Sequence, residues 1–154
     1  MKKILVAVDD SKGAEQVVKT IASWQGAIQP ESIIVLNVQK LFGRSIMGEV
    51  LESDQDLNEI SAALEGSEYT EKLDAASNKI VNHFTGMLEQ AGYQNIKPLV
   101  KKGHPAEQIV NTAKEEGVDV IIVGPRGRRM HTLLLGSVSR EVVNTAPVSV
   151  LVAH

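Results

Sequence analysis

The chain has 154 residues, a net charge of -3 at pH 7 and no cysteine. One domain of this length buries roughly two thirds of its unfolded surface in a single core, and the lack of cysteine excludes disulfides, thiolate metal sites and thiol catalysis. The acidic balance and an aromatic content of 3% argue against a nucleic-acid binder, which needs a basic face and stacking platforms.

Lys2-Lys3 precedes an apolar run, Ile4 to Val8, that is too short for a secretory signal and ends in Asp9-Asp10, so it reads as a first strand from Lys3 to Val8. Ala14, Val17, Val18, Ile21 and Ala22 then recur at helical spacing, and Ser32 to Val38 forms the second strand. From Leu41 to about Tyr69 the chain is too long for an ordinary connection and rich in acidic and small residues. It is expected to be a surface excursion with a short helix around Asp56 to Leu64, or else a lid or partner-docking segment. Leu73, Ala76, Ile80, Phe84, Met87, Leu88 and Ala91 mark a second amphipathic helix, followed by a strand from Ile96 to Lys101. A third helix begins at Pro105, turns Ala106, Ile109, Val110 and Ala113 inward and stops near Gly117. Strand four runs from Val118 to Val123, a last helix over Val138 to Ala146, and a final strand from Val148 to Val152. No apolar run approaches the ~18 residues of a membrane span. A cytoplasmic protein with no membrane and no nucleic-acid partner is therefore expected, with residues 1–154 as one domain.

Strands alternating with helices indicate an α/β fold with a mostly parallel sheet. In such sheets ligands sit beyond the carboxyl ends of the strands, where the strand order reverses. After strand four comes Gly124-Pro125-Arg126-Gly127, then eight residues, then Gly136-Ser137-Val138-Ser139. A helix opening at Gly136-Ser137 presents unpaired N–H groups and a positive dipole end, and Ser137 and Ser139 add hydroxyls, which suits an anion such as a nucleotide phosphate. The plainer reading is a tight turn at Gly124 and Gly127 and an easy helix entry at Gly136. After strand one comes Asp9-Asp10-Ser11, any of which suits a helix cap. Arg126, Arg128, Arg129 and Arg140 surround the glycines, where a guanidinium can pair with phosphate or simply stay solvated. A Walker A lysine and a Rossmann glycine triplet after strand one are both lacking. His83, His104, His131 and His154 are scattered without metal-ligand spacing, so no metal site is expected; no acid/base pair for hydrolysis stands out and no catalytic residue is assigned.

The opening Ile4 to Ser11, the Val35-Leu36-Asn37-Val38 strand, Gly103-His104-Pro105 and the block from Gly124 to Ala153 together resemble the universal stress protein family over nearly the whole chain. ATP-binding members carry two glycines separated by two residues, then nine residues, then glycine and serine or threonine. Gly124, Gly127, Gly136 and Ser137 match in type and order, with eight residues in place of nine. The resemblance implies a single open parallel five-stranded sheet, order 3-2-1-4-5, with helices on both faces. It also implies an adenine nucleotide, ATP, ADP or AMP, with Mg2+ as a companion of the phosphates. Asp9 would approach the adenine or ribose end, Val38 would offer backbone to adenine, and Ala7 and Val8 would line the same wall. Gly124, which follows Val123, and Gly127 would lie near ribose and phosphates, and Gly136, Ser137, Val138 and Ser139 would hold the phosphates.

The implied function is a regulatory stress-response module acting through nucleotide-dependent conformation or partner binding, with at most slow ATP hydrolysis. A homodimer through the last strand is implied as well. A nucleotide-free dimeric interaction protein stays open beside it, because the family also contains members without the glycine cradle.

Overall fold

The computed structural model describes residues 2–40, 66–125 and 135–153. Five strands form one sheet: β1 (Lys3–Ala7), β2 (Ser32–Gln39), β3 (Ile96–Lys102), β4 (Val120–Val123) and β5 (Ser149–Val152). Every pairing is parallel, in the order β3-β2-β1-β4-β5. The described helices are α1 (Lys12–Ser23), α2 (Glu68–Gln90), α3 (Pro105–Glu116) and α4 (Ser137–Thr145). The implied order is therefore observed, and the reversal falls between β1 and β4.

Side-chain alternation along the strands divides the core into two layers. On one face Val17, Val18 and Ile21 of α1 and Val81, Phe84 and Leu88 of α2 pack on Ile4, Val6, Ile33 and Val35. On the other, Ala106, Ile109, Val110 and Ala113 of α3 and Val142 of α4 pack on Leu5, Ile34, Leu36, Ile121 and Val123. Each such aliphatic side chain contributes about 1.5–3 kcal/mol on burial. The central strand β1 is covered on both faces, which is why it reads as an unbroken apolar run.

Local chemistry sets the element ends. Ser11 and Ser67 cap α1 and α2 by accepting from the N–H groups of Ala14 and Thr70 at 3.2 and 3.3 Å. Gly117 ends α3 with φ 61 and ψ 48, a left-handed cap that favours glycine. Strands β2 and β3 each run one residue further than expected because Gln39 and Lys102 stay in register. Strand β4 begins at Val120 instead of Val118, since the Asp119 carboxylate turns back to accept from the N–H groups of Lys2 and Lys3 at 2.5 and 3.0 Å. The expected helix around Asp56 to Leu64 lies outside the described residues; the excursion gives way to α2 at Glu68, with Ser67 as its cap.

The two sheet edges differ. Asn95 O and Gly103 N–H both turn toward β2, so by alternation Pro98 directs its missing donor outward, where no ladder bond is lost. Lys97, Lys101 and Lys102 line the same strand, which blunts the β3 edge against pairing. Strand β5 presents Val150, Leu151 and Val152, with Leu151 39% exposed.

The backbone N–H groups of Lys3 and Lys2 hold the Asp119 carboxyl below its ordinary value. A carboxylate depressed on folding stabilises the protein above its unfolded pKa of about 3.9, and that contribution is lost as pH falls through the lower folded value. Asp119→Ala should lower the urea midpoint at pH 7, and the gap from the unmodified protein should close in strongly acid solution. A gap of constant size across the acid range would show that these bonds do not link Asp119 to stability.

Candidate functional site

The site is built from the chain segments leaving β1 and β4 at the switch point. Val8 extends the β1 ladder by donating its N–H to Leu36 O at 2.9 Å. Its carbonyl accepts from the side-chain amide of Asn37 at 2.8 Å. The chain then turns toward α1. Asp9 Oδ1 accepts from the Ser11 N–H at 3.0 Å and from the Ser11 hydroxyl, while Ser11 is the residue that caps α1. Of the three candidate caps, Ser11 does the capping and Asp9 braces it, which holds one oxygen of this half-buried carboxylate in a fixed turn.

The helix that follows β4, α4, packs on the face opposite α1. A Cβ on Gly124 would come within 3.4 Å of Val17 Cγ2 and 3.6 Å of the Gly13 backbone. The missing side chain thus admits the first turns of α1, and the close approach that glycine permits here is to a helix. It also brings the turn after β1 beside the end of β4. Gly136 donates its N–H to Pro125 O at 2.7 Å, and the Ser139 hydroxyl donates to Gly124 O at 2.7 Å. The expectation that Ser139 offers its hydroxyl to an anion meets a different geometry: the side chain is buried and its proton ties α4 to the end of β4. Its backbone N–H still belongs to the first turn of α4.

That first turn has an unusual electrostatic character. Gly136, with φ -60 and ψ 157, supplies no side-chain cap, and no acidic residue follows it. The first turns of α1, α2 and α3 carry Glu15, Glu68 with Glu71, and Glu107. An acid or a cap neutralises the partial positive charge of a helix start; α4 has neither, so its amides suit an incoming anion. Arg140 does not enter this space, since its guanidinium donates to Leu135 O at 3.2 Å.

The remaining sequence-predicted residues sort by layer. Ala7, Val38 and Val138 are partly buried and, with buried Val123, share the α3/α4 side of the sheet. Val8 points into the α1/α2 core, so its side chain does not line that wall. Ser137 is exposed at the start of α4. Gly127, with Arg126, Arg128, Arg129 and His131, lies outside the described residues. Two residues were not singled out from sequence: Asn37, whose signal is a polar side chain inside an apolar strand, and Glu141, whose carboxylate lies 3.8 Å from His104 Nδ1. Among the described residues no group of three His, Cys, Asp or Glu gathers as a metal site.

A doubly wound parallel sheet whose strand order reverses between β1 and β4 defines a protein of the α/β class, a class whose ligand sites lie beyond the carboxyl ends of the strands. The family model for the universal stress protein family matches residues 1–154, and the chain belongs to that family. It is 32% identical to universal stress protein MJ0577 of Methanocaldococcus jannaschii, covering 98% of this chain and 93% of the relative. The solved MJ0577 structure matches with a TM-score of 0.66 and 29% identity over 99% of this chain and 94% of that one. The solved protein PH0823 matches with a TM-score of 0.71 and 25% identity over 99% and 94%. The same fold is found in a universal stress protein solved with cAMP, one from Archaeoglobus fulgidus with dAMP, and one from Arabidopsis thaliana with AMP. Their identities are 20%, 21% and 18%, their TM-scores 0.62, 0.58 and 0.65, and coverage is 99% and 96%, 100% and 98%, and 99% and 91%.

Removing the Ser139 hydroxyl leaves the half-buried Gly124 carbonyl without that donor, a loss of about 0.5–1.5 kcal/mol. Ser139→Ala should therefore lower the denaturant midpoint with an unchanged m value. An unaltered midpoint would mean that α4 is held at β4 by other contacts.

Proposed function

We propose that this universal stress protein binds an adenine nucleotide at the switch point and acts as a regulatory module, its conformation or partner binding changing with occupancy. The observation that carries the reading is the start of α4: an uncapped, acid-free first turn held to the end of β4 by Ser139 and Gly136, beside the Asp9–Ser11 turn. Helix-start amides hold phosphate without a catalytic side chain, and the apolar layer of Ala7, Val38 and Val138 offers a wall for a base. That three solved proteins of the same fold carry cAMP, dAMP or AMP accords with this reading. ATP is the proposed occupant in its triphosphate form, with Mg2+ entering as a companion of its phosphates. A micromolar affinity corresponds to about 8 kcal/mol, within reach of base burial and several charge-assisted hydrogen bonds.

Cytoplasmic location belongs to the same proposal; no described helix is long and apolar enough to cross a membrane. So does a homodimer through β5. The β3 edge is blunted by Pro98 and lysines, whereas β5 leaves an apolar edge with Leu151 exposed and Val143 of α4 exposed as well. A second β5 can extend the sheet there.

Freshly purified protein, denatured and analysed by mass spectrometry, should release adenine nucleotide at about one per chain, and AMP or Mg-ATP should raise the melting temperature of the emptied protein. Ser137→Pro isolates the cradle: it deletes one first-turn N–H at a position suited to proline, after a Gly136 already in a compatible conformation. Nucleotide affinity should fall about tenfold or more with the fold intact. An empty protein, unmoved by either nucleotide, would favour the nucleotide-free interaction protein. Leu151→Asp should yield a monomer in sedimentation, since a carboxylate would be buried at the strand interface without a partner; a dimer that persists would place the interface elsewhere.

A further inference from the structure

We infer that Asn37 is a positioning residue for the base contact that the family resemblance implies at Val38: its side-chain amide occupies the Val8 carbonyl and so leaves the Val38 N–H outside the sheet, as a donor to the edge of the bound base. The inference rests on the nucleotide reading above and says how the site selects its base.

In a parallel ladder, a strand's N–H groups donate to one neighbour residue and its carbonyls accept from the residue two further on. Leu36 O accepts from Val8 N–H at 2.9 Å, so Leu36 turns its backbone groups toward β1, and by alternation so does Val38. The intervening residues face β3: Ile33 N–H donates to Asn95 O at 3.1 Å, and Gln39 O accepts from Gly103 N–H at 3.0 Å. With Ala7 opposite Leu36, the next bond of the β1–β2 ladder would run from Val38 N–H to Val8 O. No such bond is present among the described residues. Asn37 Nδ2 takes its place, 2.8 Å from Val8 O.

Asn37 is 5% exposed in a strand that is otherwise apolar from Ile33 to Val38. Burying an amide there is costly unless it is paired. Its pairing satisfies the last carbonyl before the Asp9 turn and releases the Val38 N–H toward the space beyond the end of β1. The Val38 side chain shares the α3/α4 layer with Ala7 and Val138. One ligand can thus meet the Val38 N–H with its base and the first turn of α4 with its phosphate. Adenine presents an acceptor at N1 of its Watson–Crick edge, whereas hypoxanthine and guanine carry N1–H there. A fixed N–H donor therefore favours adenine.

The test compares AMP with IMP on the full chain and on Asn37→Leu, and follows the Val38 amide by hydrogen exchange. The unmodified protein should prefer AMP by about tenfold or more, with a Val38 amide that exchanges freely when empty and is protected by AMP. In Asn37→Leu the freed Val8 carbonyl should capture the Val38 N–H, so that this amide becomes protected without ligand and the AMP preference shrinks about tenfold. A preference that survives in Asn37→Leu, or a Val38 amide already protected in the empty unmodified protein, would overturn the inference. The second measurement decides even if Asn37→Leu does not fold. Failure of the unmodified protein to bind either nucleotide would refute the nucleotide reading instead, and is thereby distinguished from failure of the Asn37 assignment.

Discussion

The parallel pairing of β1 with both β2 and β4 is the constraint on which the remaining architecture depends. It buries Ile4, Leu5 and Val6 at 2% exposure or less, and it commits the chain leaving β1 and the chain leaving β4 to opposite faces. One goes to α1, the other to α4. A crevice between the two departures is the geometric result of a strand order that reverses at this point. The sheet already brings the turn after β1, the end of β4 and the start of α4 together at this point.

Within that crevice most short polar side chains serve the fold. Asp9 braces Ser11, Ser11 caps α1, and Ser139 closes onto Gly124. Among the described residues, the main-chain donors there that no side chain engages are the first-turn amides of α4 and, on the inference drawn from Asn37, the N–H of Val38. A main-chain site is rigid because the same hydrogen bonds that build the sheet and helices aim its donors.

The lower end of the sheet shows the same economy in a structural role. Asp119 gathers the N–H groups of Lys2 and Lys3, Lys3 Nζ donates to Glu116 O at 2.7 Å, and Lys97 pairs with Glu116 Oε1 at 2.6 Å. The Lys97 partner draws the Glu116 carboxyl below its ordinary value. Exposed pairs of this kind contribute little individually. They gather where β1, β3 and β4 begin, at the end of the sheet opposite the switch-point crevice.

Strand and helix identity, the two-faced burial of β1, and the Pro105 start and Gly117 stop of α3 were all legible in the sequence, because period-two and period-3.6 patterns and glycine or proline at element ends act locally. The order of the strands came from family resemblance, and the structure bears it out. Several assignments needed the tertiary structure because they depend on partners far away in the chain. Strand β4 starts late because Asp119 binds Lys2 and Lys3; Val8 points into the α1/α2 core; Gly124 makes room for Val17; and Ser139 spends its proton on a carbonyl fifteen residues earlier. The sequence by itself determined which residues form strands and helices, and it pointed to glycines and serines at the strand ends as candidates. Only the folded chain decided which of those polar groups are consumed by the fold, because a hydrogen bond's direction is set by the element packed against it.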